Sequence, residues 1–232
     1  MTINIALHMG RKTKQLPSRN AIAVIVDGND EKWYLEVTKD HYSCKCRGLC
    51  NLKIKPDLPQ KKSINELFKI AQLKIKDELF NKAILIIDFD SLLHSAKERS
   101  DFETWYNRYL SIIHDKKISN GFKASYGWMK NLLIIINNPC LEYWYLLHFK
   151  ETTKFYNDFD SLESDLKKND SLSDYSKDEN YYKRCPNDIF VKLGGDEGLS
   201  KARKHSKPFD ITTCTSVGCS EMSFLFDYFD TL

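Results

Sequence analysis

Four acids in this chain stand where hydrophobic runs stop or where their neighbours are almost all apolar. In IIDFDS, Asp88 and Asp90 close a run of aliphatic residues, and on a strand side chains two apart point to one face. Two carboxylates on one face repel each other unless a cation or a shared proton relieves them, and a hard divalent ion such as Mg²⁺ takes oxygen ligands of this kind. The plain alternative is that the strand ends here and Asp90 caps a helix. AIAVIV likewise ends in Asp27-Gly28, which is either an acid at a strand end or an Asp-Gly turn. The fourth acid, Glu142, lies within NNPCLEYWYLLHF. It shares a helical face with Tyr145 and Leu146, where an unpaired acid is costly. A metal or a basic partner would explain it. So would a helix N-terminus, whose dipole favours a carboxylate.

The elements that must position these acids follow from hydrophobic period. AIAVIV (21–26), AILIIDFD (83–90) and NLLIIIN (131–137) are short, β-branched, continuously apolar runs, the pattern of strands buried on both faces. Helical spacing marks DEKWYLEVTKD, and SINELFKIAQLKIKDELF with Ser63 and Glu66 as a capping box. It also marks ERSDFETWYNRYLSIIHDKK and the stretch from Pro139 to Lys150, with Asn138 as N-cap and Pro139 as first helical residue. Strands alternating with helices of this length predict an α/β fold, a mostly parallel sheet flanked by helices. At its carboxyl edge Asp27, Asp88 and Asp90 can converge, since open sheets place their ligands there.

Between these elements, HYSCKCRGLCNLKIKPDLPQKK reads as an irregular basic insertion. Residues 1–19 read as a basic N-terminal arm, 20–150 as the α/β core, and 151–232 as a helical C-terminal extension packed on the core. In the extension, residues 157–180 form a loose helical or looped insertion. Helices flank Gly194 and Gly195, and a final helix packs Phe224, Leu225, Tyr228 and Phe229.

The chain has 232 residues, 42% hydrophobic, with a formal net charge of +3. That near balance argues against a nucleic-acid binder working by bulk charge alone. Basic runs at Arg11–Lys14, Lys53–Lys62 and Lys201–Lys207 could flank a nucleic-acid backbone, or simply be solvated faces. No apolar run reaches the roughly 18 residues of a membrane span, and the basic N-terminus lacks the apolar centre of a signal peptide. A cytoplasmic protein with reduced thiols is expected. His41, Cys44, Cys46 and Cys50 depart from paired zinc-knuckle spacing, so free thiols are a better reading there than a structural zinc.

An acid-Gly after one strand and D-x-D after a later one resembles the Toprim domain, a catalytic module of topoisomerases, bacterial primases and some nucleases. INNPCLEYWYLLHF is similar to the S-N-P-C-F-E-L-W-L-L-L-H-F signature of RloB-like proteins, a Toprim-containing family linked to bacterial phage-defence loci. Asn138, Pro139, Cys140, Glu142, Trp144, Leu146, Leu147, His148 and Phe149 match in place, while Asn137 and Leu141 depart from it. VDGNDEKWYL is similar to the family's opening, which usually carries glutamate at the position of Asp27. Weaker echoes in YYKRCPNDIF, GLSKARKH and CTSVGCSEMSFL extend the likeness over roughly residues 20–230.

The resemblance implies a Toprim-type, Mg²⁺- or Mn²⁺-dependent endonuclease of anti-phage defence. Asp88 and Asp90 would hold the metal, Glu142 would support them, and Asp27 would take the acid/base role. Lys183, His148 and Asn138 are accessory candidates. Lys183 is equally well a solvated lysine, and His148 a satisfied core histidine. The chain has no Walker-type phosphate loop, so an ATP-driven step would need an ABC- or AAA-type ATPase partner. The alternative is a non-catalytic effector subunit that binds such an ATPase and nucleic acid.

Overall fold

The computed structural model describes residues 21–43, 52–55, 62–78, 80–114 and 117–232. The N-terminal arm, Cys44, Cys46 and Cys50 lie outside them. AIAVIV forms β1 (Ile22–Ile25), and inside the basic insertion a short β2 (Leu52–Lys55) pairs with it in parallel. The insertion is therefore not wholly irregular. Its strand is only four residues, half of them lysine, so hydrophobic period alone does not expose it. β3 (Lys82–Asp88) and β4 (Leu132–Asn138) continue the parallel sheet, and β5 (Cys219–Ser220) adds an antiparallel edge. The strand order is β2-β1-β3-β4-β5.

Helix α1 (Asn29–Ser43) leads from β1 to β2, and α2 (Ile64–Lys76) crosses back to β3. The Ser63–Glu66 capping box of α2 is formed as expected. A one-turn α3 (Asp90–Leu93), the long α4 (Ala96–Ile113) and α5 (Asn120–Tyr126) lead to β4. Then come α6 (Leu141–Leu147), α7 (Phe159–Leu166), α8 (Glu179–Lys183), α9 (Ile189–Lys192), α10 (Gly195–His205) and α11 (Met222–Phe229). Gly194 and Gly195, at φ 87° and 58°, make the left-handed break between α9 and α10.

Alternation along the strands divides the core in two. Ile22, Val24, Ile84, Ile86 and Ile135 face a core shared with Tyr34 of α1, Trp144 of α6, and Leu162, Tyr175, Leu199 and Phe226 of the C-terminal part. Ile25, Leu85, Ile87, Ile134 and Ile136 face Phe68 of α2 and Phe102 of α4 on the other side. Connections leaving β1 and β3 thus diverge to opposite faces, and the crevice between these strand ends is a topological switch point.

Three local expectations are corrected. Asp90 does not continue the strand: β3 ends at Asp88, and Asp90 opens α3, its own carboxylate accepting from the Ser91 N–H. Asn138 is not an N-cap and Pro139 is not helical. Asn138 is the last residue of β4, buried and donating to the Cys214 and Val217 carbonyls, and α6 begins only at Leu141. Those tertiary acceptors hold Asn138 in the sheet. Finally, Phe224 is 40% exposed, while Leu225, Phe226 and Phe229 carry the apolar face of α11.

Candidate functional site

At the switch point a cleft of about 500 Å³ is lined by Asp27, Gly28, Glu31, Asp88, Asp90, Ser91, His94 and Ser95. Asp27, Asp88 and Asp90 therefore share one cavity. Strand parity separates their roles. Asp88 continues the Ile84–Ile86 face, which looks towards α1 and α6, and Asp27 continues the Ile25 face towards α2. There Asp27 accepts from the Lys62 backbone N–H at 3.0 Å.

The acid that meets Asp88 is Glu31, which the sequence reading did not single out. It lies one helical turn after Asp27 and is 7% exposed. Its carboxyl is within hydrogen-bonding reach of Asp88. Glycine at 28 makes the approach possible, because a Cβ there would stand 2.4 Å from Glu31 Oε2. That oxygen is sealed from solvent and finds no donor. Burial raises both carboxyls; Glu31 raises Asp88 further, while Asp88, through the contact the two share, pulls Glu31 back down. Asp88 also receives the Asn137 side-chain amide on Oδ1 and the Leu141 N–H on Oδ2, each at 3.2 Å. Burial likewise raises Asp90, with His94 and Lys177 opposing.

Glu142 is the second residue of α6 and only 1% exposed. Its Oε1 accepts from the Tyr175 hydroxyl at 2.7 Å and from Lys177 Nζ at 2.7 Å. The basic partner expected for this acid therefore exists, but it is Lys177, from a segment read only as loose insertion. Burial alone would lower the Lys177 ammonium, yet Glu142, with Asp30 behind it, holds it above the usual lysine range. Asn29 to Glu31 could have been noticed as acid-rich. Nothing local marked Lys177.

The accessory candidates lie apart from the cleft lining. Lys183 pairs with Glu36 and Glu179, both at 2.6 Å. His148 is buried, hydrogen-bonds the Leu193 carbonyl through Nδ1 at 3.0 Å, and is pushed down to about 3 by desolvation. It is a neutral core histidine. His41 bonds Asp188 at 2.8 Å and stacks on Phe190.

The donor set fits a hard divalent cation. The cleft offers carboxylate oxygens, two of them crowded together, and one is buried without any donor. Among the described residues, no group of three His, Cys, Asp or Glu side chains is already arranged around one point. No helix among them is long and apolar enough to cross a membrane.

No curated protein and no solved structure matches the chain. A family model described as RloB-like protein matches residues 22–224, spanning every strand and both walls of the cleft. The chain belongs to the RloB-like protein family.

Proposed function

We propose that this protein is a divalent-metal-dependent nuclease of the Toprim type, hydrolysing phosphodiester bonds of nucleic acid. The observation that carries the reading is the Glu31–Asp88 carboxyl pair at the β1/β3 switch point, one oxygen of which lacks a donor. Carboxyls brought together against their repulsion in a cleft mark a site built for a cation. Asp88, Asp90 and Glu31 would hold Mg²⁺ or Mn²⁺. Such an ion neutralises charge on a phosphate and makes a water more acidic. The protein's own contribution is orientation. The amide of Asn137 and the N–H of Leu141 fix Asp88, and Gly28 lets Glu31 close on it. Asp27, on the other wall, takes the acid/base role, its carboxylate steadied by the Lys62 N–H. Family membership supports a setting in anti-phage defence in the cytoplasm, with an ABC- or AAA-type ATPase as partner.

A second reading is a non-catalytic subunit that binds nucleic acid and the ATPase. It is favoured by the lack of a preformed three-residue metal group among the described residues. Anomalous scattering from a Mn²⁺-soaked crystal separates the two. A peak ligated by Asp88 with Asp90 or Glu31 is expected. An empty cleft, with Glu31 and Asp88 still sharing a proton at neutral pH, would turn the assignment to the binding subunit.

A further inference from the structure

We propose that Glu142 is the anchor of a phosphate-contacting ammonium and not a metal ligand. Its buried carboxylate holds Lys177 at the rim of the acidic cleft, where Nζ meets a backbone phosphate of a bound nucleic-acid strand. The inference rests on the nucleic-acid reading above and assigns the contact that reading lacks.

Oε1 of Glu142 is already engaged. Tyr175 and Lys177 both donate to it at 2.7 Å. A carboxylate oxygen has about two acceptor directions, so these donors leave little of Oε1 for an ion, and Glu142 is not among the residues lining the cleft. Lys177 is different: its side chain is 40% exposed. Nζ lies 3.4 Å from Asp30 Oδ2 and 3.8 Å from the Phe159 ring centroid. The ammonium thus reaches from a buried acid to the neighbour of cleft-lining Glu31, with its position fixed by an aromatic face.

The strap carrying Lys177 is fixed as well. The Tyr175 hydroxyl also lies 2.8 Å from that of Tyr182, and Asp178 caps α8 through the Tyr181 N–H at 2.9 Å. Phosphates approaching Asp27, Glu31, Asp88 and Asp90 are repelled unless cations meet them. Lys177 and His94 both lie close enough to act on Asp90, and Lys177 is the one held in place by a buried anion. The opposing account is that Lys177 merely neutralises Glu142.

The full-length variants Lys177→Met, Lys177→Arg, Glu142→Gln and the double variant Lys177→Met/Glu142→Gln separate these accounts. The double variant guards against misfolding, because it does not leave the Glu142 carboxylate buried without its ammonium. Mn²⁺ binding is read by calorimetry and folding by melting temperature. Binding of fluorescein-labelled single-stranded DNA and RNA oligonucleotides is read by anisotropy in Ca²⁺ over a salt series. In Glu142→Gln and the double variant, Mn²⁺ affinity should be unchanged. Lys177→Met and the double variant should bind oligonucleotide roughly fivefold to tenfold more weakly, with the log–log salt slope shallower by about one. Lys177→Arg should recover most of that loss. Loss of Mn²⁺ binding in Glu142→Gln would overturn the proposal. So would Lys177→Met with a lower melting temperature but unchanged oligonucleotide affinity and salt slope, or a wild type that binds neither oligonucleotide. A wild type that takes up no Mn²⁺ yet loses oligonucleotide affinity on Lys177→Met would sink the nuclease reading and leave this contact standing.

Discussion

Glu31 and Asp88, from α1 and the end of β3, face each other as two carboxyls where neither can donate unless one keeps a proton. Such a pair stores repulsion in the folded state. Glu31→Gln removes one charge and supplies an N–H that Asp88 can accept. We expect the variant to be more stable than wild type at pH 8 in EDTA, by about 1 kcal/mol or 2–4 °C in melting temperature. Saturating Mn²⁺ should raise the wild-type melting temperature and leave the variant's unmoved. A variant that melts lower in EDTA would show that the pair is not strained.

Glu221 sets a second pH response outside the cleft. Its two oxygens accept from the Phe209 N–H at 2.9 Å and the Ile136 N–H at 3.1 Å, yet desolvation pushes it up to about 7. Between the unfolded value of 4.5 and about 7 the folded state binds more protons than the unfolded. This contribution is complete below pH 4.5 and is lost as pH rises through 7, with a ceiling on the order of 3 kcal/mol. Glu221→Gln should therefore cost more stability at pH 5 than at pH 8 in denaturant titrations. An equal cost at both would show that Glu221 is not protonated in the native state.

His148 pulls the other way. Held neutral in the core with a value of about 3, it binds fewer protons than an unfolded histidine. Its contribution is present above pH 6.5 and lost as pH falls towards 3. His148→Gln, which keeps a donor for the Leu193 carbonyl, should flatten the acid limb of the stability curve. An unchanged acid limb would count against a buried neutral imidazole.

Gly198 tests packing against helix propensity. Inside α10, alanine should add up to about 1 kcal/mol on propensity alone. A Cβ there would stand 1.8 Å from the Leu193 carbonyl oxygen and 3.1 Å from His148 Nδ1. Gly198→Ala should instead destabilise by about 3 kcal/mol or more, seen as a lower denaturation midpoint at unchanged m-value.

The sequence alone determined the three buried parallel strands β1, β3 and β4, because buried β-branched runs such as AIAVIV and NLLIIIN have few other fates. It also determined that acids close β1 and β3, and that Glu142 needs a partner, since burial cost is a local property of an apolar helix. Tertiary structure decided which groups meet. Asp27 and Asp88 fall on opposite sheet faces by strand parity, so Asp88 meets Glu31 from the neighbouring helix. Lys177 reaches Glu142 across 35 residues of chain, and Asn138 is drawn into the sheet by carbonyls of residues 214 and 217. Periodicity reads the buried face of one element. It carries no record of which distant side chain closes over that face, and the partner of a buried charge is settled only when the layers pack.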